Sequence, residues 1–299
     1  MTSDYLFRFV ALHQSLVRSC VPFRLHAFCF DGRVARILRR IELPSVHVVS
    51  LSELEAVDSE LASVRRDRTA AEYCQTAKAS AILHLLDRDP KIGRVTYLDA
   101  DLFFFSSPAP IFEEMGDASI LITPHHFSPE FQGGLVWGVY NSGLVGFRRD
   151  ANGLECLHWW RERCIEWCYL RLEGERGADQ KYLEAWPERF GGVHELQHKG
   201  GHVGPWNVTQ YRLEDGNGDG RLTLDGASLI CFHFQGAILR RPTLRRRDAV
   251  HEPHSLPYFQ PSERVAELIY TPYFAQIDRS VERVRCKRRF FRAGLTPPH

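Results

Sequence analysis

The 299-residue chain balances 38 Lys and Arg against 37 Asp and Glu, a formal net charge of +1, and 44% of its residues are apolar. That balance sets aside nucleic-acid binding over the whole surface, and the composition is that of a globular protein with a sizeable core. No run approaches the roughly 18 apolar residues needed to cross a bilayer, and the opening MTSDYLFRFVALHQSL lacks the marks of a signal peptide, so a cytoplasmic protein is expected.

In chain order, apolar residues at helical spacing over 5–19 predict a helix, and FRLHAFCF (23–30) reads as a strand. VARILRRI is a short helix and VHVVSL a strand. A helix then opens at Ser52, with Glu55 three residues on as in a capping box. Residues 70–86 predict a longer helix, and RVTYLDADLFFFSS follows, its Val95, Tyr97 and Leu98 reading as a strand buried on both sides. ASILIT (118–123) and VYNSGLVGF (139–147) are further strands, and 151–170 is an amphipathic helix whose Trp159, Trp160 and Trp167 belong to the core. GADQKYLEAW starts another helix, and from 193 to 236 the pattern turns to short strands between glycines.

This alternation predicts an α/β fold: a mostly parallel sheet flanked by helices, with a small β-rich segment and a basic C-terminal helix. The simplest partition is one domain over 1–242 and a helical, basic tail over 243–299. The eight cysteines lack zinc or disulfide spacing and read as reduced, buried small hydrophobes.

Two stretches imitate sites. DGNGDGRLTLDG places Asp215, Asn217 and Asp219 at calcium-loop positions with Gly220 at the sixth. The twelfth position, which should be Glu, is Gly226, so a hairpin is expected. The tail groups Arg283, Arg285, Lys287, Arg288, Arg289 and Arg292 with Phe290 and Phe291. Such a cluster is either a solvated terminal helix or a peripheral contact with an anionic membrane face. No nucleic-acid reading module accompanies it.

The chemistry concentrates at Asp99 and Asp101. If the strand continued through them, period-two alternation would turn both carboxylates to one face, where they repel unless a hard cation such as Mg2+ or Mn2+ lies between them. The alternative is a solvated turn at a strand end. Three later stretches join them in order: YNSGLVGF, ADQKYL and HFQG. Together with YLDADLFFFSSP they resemble the nucleotide-sugar glycosyltransferases of the GT-A fold, most closely the family 8 type, over roughly residues 3–242. The resemblance implies a Rossmann-like GT-A domain that moves a sugar from a nucleoside-diphosphate sugar, a UDP-sugar, to a glycan or lipid-linked acceptor with retention of configuration. It implies Asp99, Asp101 and His233 as ligands of Mn2+ or Mg2+, and Asp179 and Gln180 at the reacting centre. Lys78, Asp99, Asn141, Ser142 and either Arg240 or Arg241 would contact the donor.

Two departures from that family stand out. Its members begin with a strand before a Thr/Ser-rich turn, whereas MTSDYL opens inside that turn, so the first strand is expected to be absent. Leu239 stands where they commonly carry a phosphate-binding Lys, which leaves Arg240 or Arg241 as the substitute, a planar fork for a point charge. The competing readings are a haloacid dehalogenase type phosphohydrolase, which would need Thr or Val soon after the second Asp, and a binding protein of the same fold without catalysis.

Overall fold

The computed structural model describes residues 1–19, 22–216, 221–240, 251–253, 259–288, 291 and 293–296. Of the residues singled out above, Cys20, Asn217, Asp219, Gly220, Arg241, Arg289, Phe290 and Arg292 lie outside them. The chain divides into two compact units, one of Met1–Val48, Ala100–Ala109 and Lys199–His299, the other of Val49–Asp99 and Pro110–His198.

The unit containing Val49–Asp99 is built on four strands in the order Arg94–Leu98, Tyr140–Arg148, Ile120–Pro124, Val193–Glu195. Eight of the nine residues of Tyr140–Arg148 are buried, as expected of a central strand. Helices Lys78–Arg88 and Ala151–Glu166 pack against each other and onto the sheet. Between them lie Leu83, Leu86, Val145, Phe147, Leu157 and Trp160. The second helix starts where it does because the Asp150 side chain accepts from Gly153 N–H at 2.9 Å.

Three expectations are corrected here. Arg94–Leu98 and Ile120–Pro124 both pair antiparallel with Tyr140–Arg148, and the parallel pairing is that of Ile120–Pro124 with Val193–Glu195. The sheet of this α/β unit is therefore mixed rather than mostly parallel: burial on both faces produces continuous apolar runs whatever the strand direction. Arg94–Leu98 is itself half-buried, because it lies at the edge of the four strands. The capping box also sits one step earlier than expected. Ser50 and Glu53 close it, while Glu55 accepts from the Tyr73 hydroxyl at 2.8 Å. Ser-x-x-Glu occurs twice in SLSELE, and the chain direction leaving the strand Val46–Ser50 selects the first.

In the unit containing Met1–Val48, the helix Leu6–Arg18 buries Leu6, Phe7, Phe9, Val10 and Leu12. Met1 O accepts from Phe30 N–H, and the terminal ammonium donates to Phe28 O, so the first residue lies alongside the strand Leu25–Cys29. Leu102–Phe104 pairs antiparallel with Cys231–His233, with Leu102 opposite His233. Leu213–Asp215, Leu222–Leu224 and Ala227–Ser228 form an antiparallel meander, which agrees with a hairpin between the first two. The tail is docked on this unit over its described residues. Helix Thr271–Lys287, which buries Tyr273, Ile277, Val281 and Val284, packs against Leu6–Arg18 and Gly32–Ile41. Phe291 meets Phe7 edge-on at 5.8 Å. Among the described residues no helix is long and apolar enough to cross a membrane, and the seven described cysteines are unbridged.

Candidate functional site

Lys78 organises the first group of site residues. It opens the helix Lys78–Arg88, where the chain breaks at Ala77 the single long helix expected over 70–86. Its ammonium lies 3.0 Å from Asp179 Oδ2 and 3.5 Å from Asp99 Oδ1, and donates to Ser142 Oγ at 2.9 Å. It also donates to Ser142 O at 3.4 Å, and the Tyr97 ring lies 4.8 Å away. Burial by itself would disfavour the charge, but the carboxylates of Asp179 and Asp99 outweigh it and raise the Lys78 pKa above its ordinary value. Asp179 follows Ala178, which takes a left-handed φ of 52°, and its backbone carbonyl accepts from Trp160 Nε1 at 3.0 Å.

Tyr97 was overlooked in the sequence as a plain strand residue. Its hydroxyl donates to Asp99 Oδ1 at 2.8 Å, two residues on, just past the end of the strand Arg94–Leu98. Asn141 is buried and wholly engaged: its Oδ1 accepts from Gly143 N–H at 2.8 Å, and its Nδ2 lies 3.1 Å from His125 Nε2. His125 Nδ1 in turn lies 3.1 Å from Val139 O. Gln180 is half-buried and donates to Trp137 O at 3.1 Å.

Asp101 immediately precedes Leu102–Phe104, and its carbonyl accepts from Phe234 N–H at 2.9 Å. The ladder with Cys231–His233 therefore brings the His233 Nε2 to 3.1 Å from Asp101 Oδ1, with both side chains buried. Burial pushes the Asp101 carboxyl up, but His233 beside it outweighs this and leaves its pKa below the ordinary range. Asp101 and His233 thus offer a carboxylate and an imidazole as ligand atoms within one unit, and Asp99 precedes Asp101 by two residues in the chain. The alternation expected through 99 and 101 does not operate, because the strand ends at Leu98 and Ala100 and Asp101 lie in a turn.

Arg240 directs its guanidinium to Glu252 Oε1, at 2.8 Å from Nε and 2.6 Å from Nη2. Two further residues escaped the sequence analysis: His202, whose Nε2 lies 3.3 Å from His233 Nδ1, and Trp206, edge-on to the His233 ring at 5.5 Å. A stretch dense in glycine, GGHVGPW, was the one signal that backbone there approaches other groups closely.

No family model matches the chain. It is 32% identical to the uncharacterized protein YfnD of Bacillus subtilis strain 168 over 304 residues, which cover 100% of this chain and 94% of YfnD. The chain belongs to the family of YfnD. A second protein of that organism, the uncharacterized YfnF, is 34% identical over 252 residues, 79% of this chain and 82% of YfnF. Among solved structures, an active-site mutant of LgtC aligns over 91% of this chain and 94% of its own, at 15% identity and a TM-score of 0.51. LgtC is a galactosyltransferase. The likeness shows the fold, and the YfnD relative described here has the GT-A fold that the order of its motifs implied.

Proposed function

We propose that the protein is a metal-dependent glycosyltransferase of the family 8 type. It moves a sugar from a nucleoside-diphosphate sugar, a UDP-sugar, to a glycan or lipid-linked acceptor in polysaccharide synthesis, with retention of configuration. The observation that carries this reading is the buried pair of Asp101 and His233, 3.1 Å apart in a GT-A fold, with Asp99 two residues before Asp101 in the chain. Two carboxylates and an imidazole suit Mn2+ or Mg2+, and leave positions for phosphate oxygens. Such an ion supplies Lewis-acid stabilisation of the departing diphosphate.

The remaining work falls to the chain. Glycosyl transfer develops positive charge on the sugar ring, and a carboxylate held ionised beside it stabilises that charge. Asp179 suits this role because Lys78 balances it at 3.0 Å. Lys78 faces Asp179, Asp99 and Ser142 and orients them, alongside the donor contact expected of it. Gln180, oriented through Trp137 O, and Asn141, oriented through Gly143 N–H, keep the roles at the reacting centre and the donor that the resemblance implies. Arg240 serves through Glu252. Peripheral membrane contact by the tail rests on the exposed Lys287 and Arg288, since Phe291 is buried.

The test is incubation of the purified protein with a panel of nucleotide sugars, with and without Mn2+. Mn2+-dependent release of nucleoside diphosphate is expected, from UDP-sugars above others. Inorganic phosphate released from phosphomonoesters would instead support a phosphohydrolase, and neither product, with ligand-raised melting alone, a binding protein.

A further inference from the structure

The two nitrogens of the His233 ring have different neighbours. Nε2 faces Asp101 Oδ1 at 3.1 Å, and Nδ1 faces Nε2 of His202 at 3.3 Å. Backbone bonds set this arrangement. His233 N–H donates to Val203 O at 2.7 Å and Val203 N–H to Cys231 O at 3.0 Å, so the residue next to His202 runs alongside the ladder that carries His233. Trp206 closes over both imidazoles, with ring centroids 5.6 Å from His202 and 5.5 Å from His233. A Cβ on Gly204 would lie 2.4 Å from that indole, so only glycine at 204 lets the ring settle there. His202, His233 and Asp101 are 5%, 4% and 6% exposed. A buried imidazole in series with a candidate ligand histidine has a defined chemical use.

We infer that His202 is a positioning residue that decides which nitrogen of His233 is free to ligate a metal ion, an inference that rests on the metal reading above. Before the ion binds, His233 carries its proton at Nε2 and donates it to the Asp101 carboxylate, while Nδ1 accepts from His202 Nε2–H. Ligation through Nε2 needs the lone pair of that nitrogen. The His233 proton then resides at Nδ1 and is donated to His202 Nε2, and the His202 proton resides at its own Nδ1. Each imidazole keeps one proton and none is released. The side chain at 202 must therefore donate in one state and accept in the other. Histidine does so by changing tautomer and glutamine by turning its amide, whereas phenylalanine does neither.

The experiment measures Mn2+ affinity of the full chain from the electron paramagnetic resonance signal of the free ion, for wild type, His202→Phe, His202→Gln and Asp101→Asn. Melting curves without metal accompany each. His202→Phe should weaken Mn2+ binding about 10–100-fold, the usual effect of losing an outer partner of a ligand histidine, and His202→Gln should stay within about threefold of wild type. Equal binding by His202→Phe and wild type overturns the inference. So does equal weakening by both His202 variants with lowered metal-free melting, which marks a merely structural role. If the wild type binds no Mn2+, or binds it no better than Asp101→Asn, the metal reading itself falls and takes this inference with it.

Discussion

Lys78 and Asp179 form a buried ion pair, Nζ to Oδ2 at 3.0 Å, with side chains 6% and 2% exposed. A pair so placed is costly to assemble and more costly to break, because removing one member leaves the other charged and dry. Lys78→Met is accordingly expected to lower stability by about 3–5 kcal/mol. The urea midpoint should fall with an unchanged slope, and the double variant Lys78→Met with Asp179→Leu should recover part of the loss.

Asp101→Asn removes the charge from the pair formed with His233 but keeps the side-chain volume. Nucleoside diphosphate release in Mn2+ should drop at least about 100-fold, since Lewis-acid stabilisation is worth several kcal/mol and each 1.4 is tenfold. Mn2+ should then also cease to raise the melting temperature, as read by differential scanning fluorimetry.

Asp58 holds the Arg161 guanidinium through Nε at 2.9 Å and Nη2 at 2.5 Å. Burial raises its carboxyl, but bonds from Arg161, Leu61 N–H and Ser80 outweigh this and place the folded pKa below the ordinary 3.8. A lowered folded pKa means that the pair stabilises the protein above pH 3.8, and that this stability is lost as the pH falls from there through the folded value. At pH 6, Asp58→Asn should cost about 1.5–3 kcal/mol, the worth of a hydrogen bond to a charged group. The gap to wild type should close below pH 3.8, as circular dichroism during acid titration will show.

Gly153 and Gly32 both lie in the first turns of helices, Ala151–Glu166 and Gly32–Ile41, yet alanine should act oppositely at the two. A Cβ at 153 would lie 2.2 Å from Arg148 O, which is backbone and cannot yield without moving the central strand. Gly153→Ala should therefore lose about 1–3 kcal/mol to overpacking. At 32 a Cβ meets nothing within 4 Å, and alanine there should be neutral or gain about 0.4–1 kcal/mol through the unfolded chain. Thermal denaturation of the two variants side by side checks the contrast.

Phe291, 5% exposed against Phe7, belongs to the core although it stands in the basic tail. Phe291→Ala should destabilise by about 3–5 kcal/mol, measurable by chemical denaturation. Sedimentation with anionic vesicles should depend on Lys287 and Arg288 and disappear in about 1 M salt, where the Debye length is near 3 Å.

Local pattern carried much of this protein. The order of YLDADLFFFSSP, YNSGL, ADQ and HFQG carried the resemblance that implied the GT-A fold. The amphipathic helices and the core tryptophans were legible because one apolar face states its own burial. Strand direction was not legible, since the runs around Tyr97 and Val145 read alike whether their partners run parallel or antiparallel. Nor was the choice between Ser50 and Ser52 as cap, or the turn at 100–101 that follows the strand's end at Leu98.

What the sequence by itself determined is which chemical groups the protein owns and roughly where along the chain they sit: two aspartates one residue apart, a late histidine, a lysine at a helix start. Tertiary structure alone decided whom each group faces. Lys78 faces Asp179, Asp99 and Ser142, Arg240 turns to Glu252, and His202 comes to lie behind His233. These pairings join residues up to about a hundred positions apart, and buried charge and hydrogen bonding select them only once the core has excluded water.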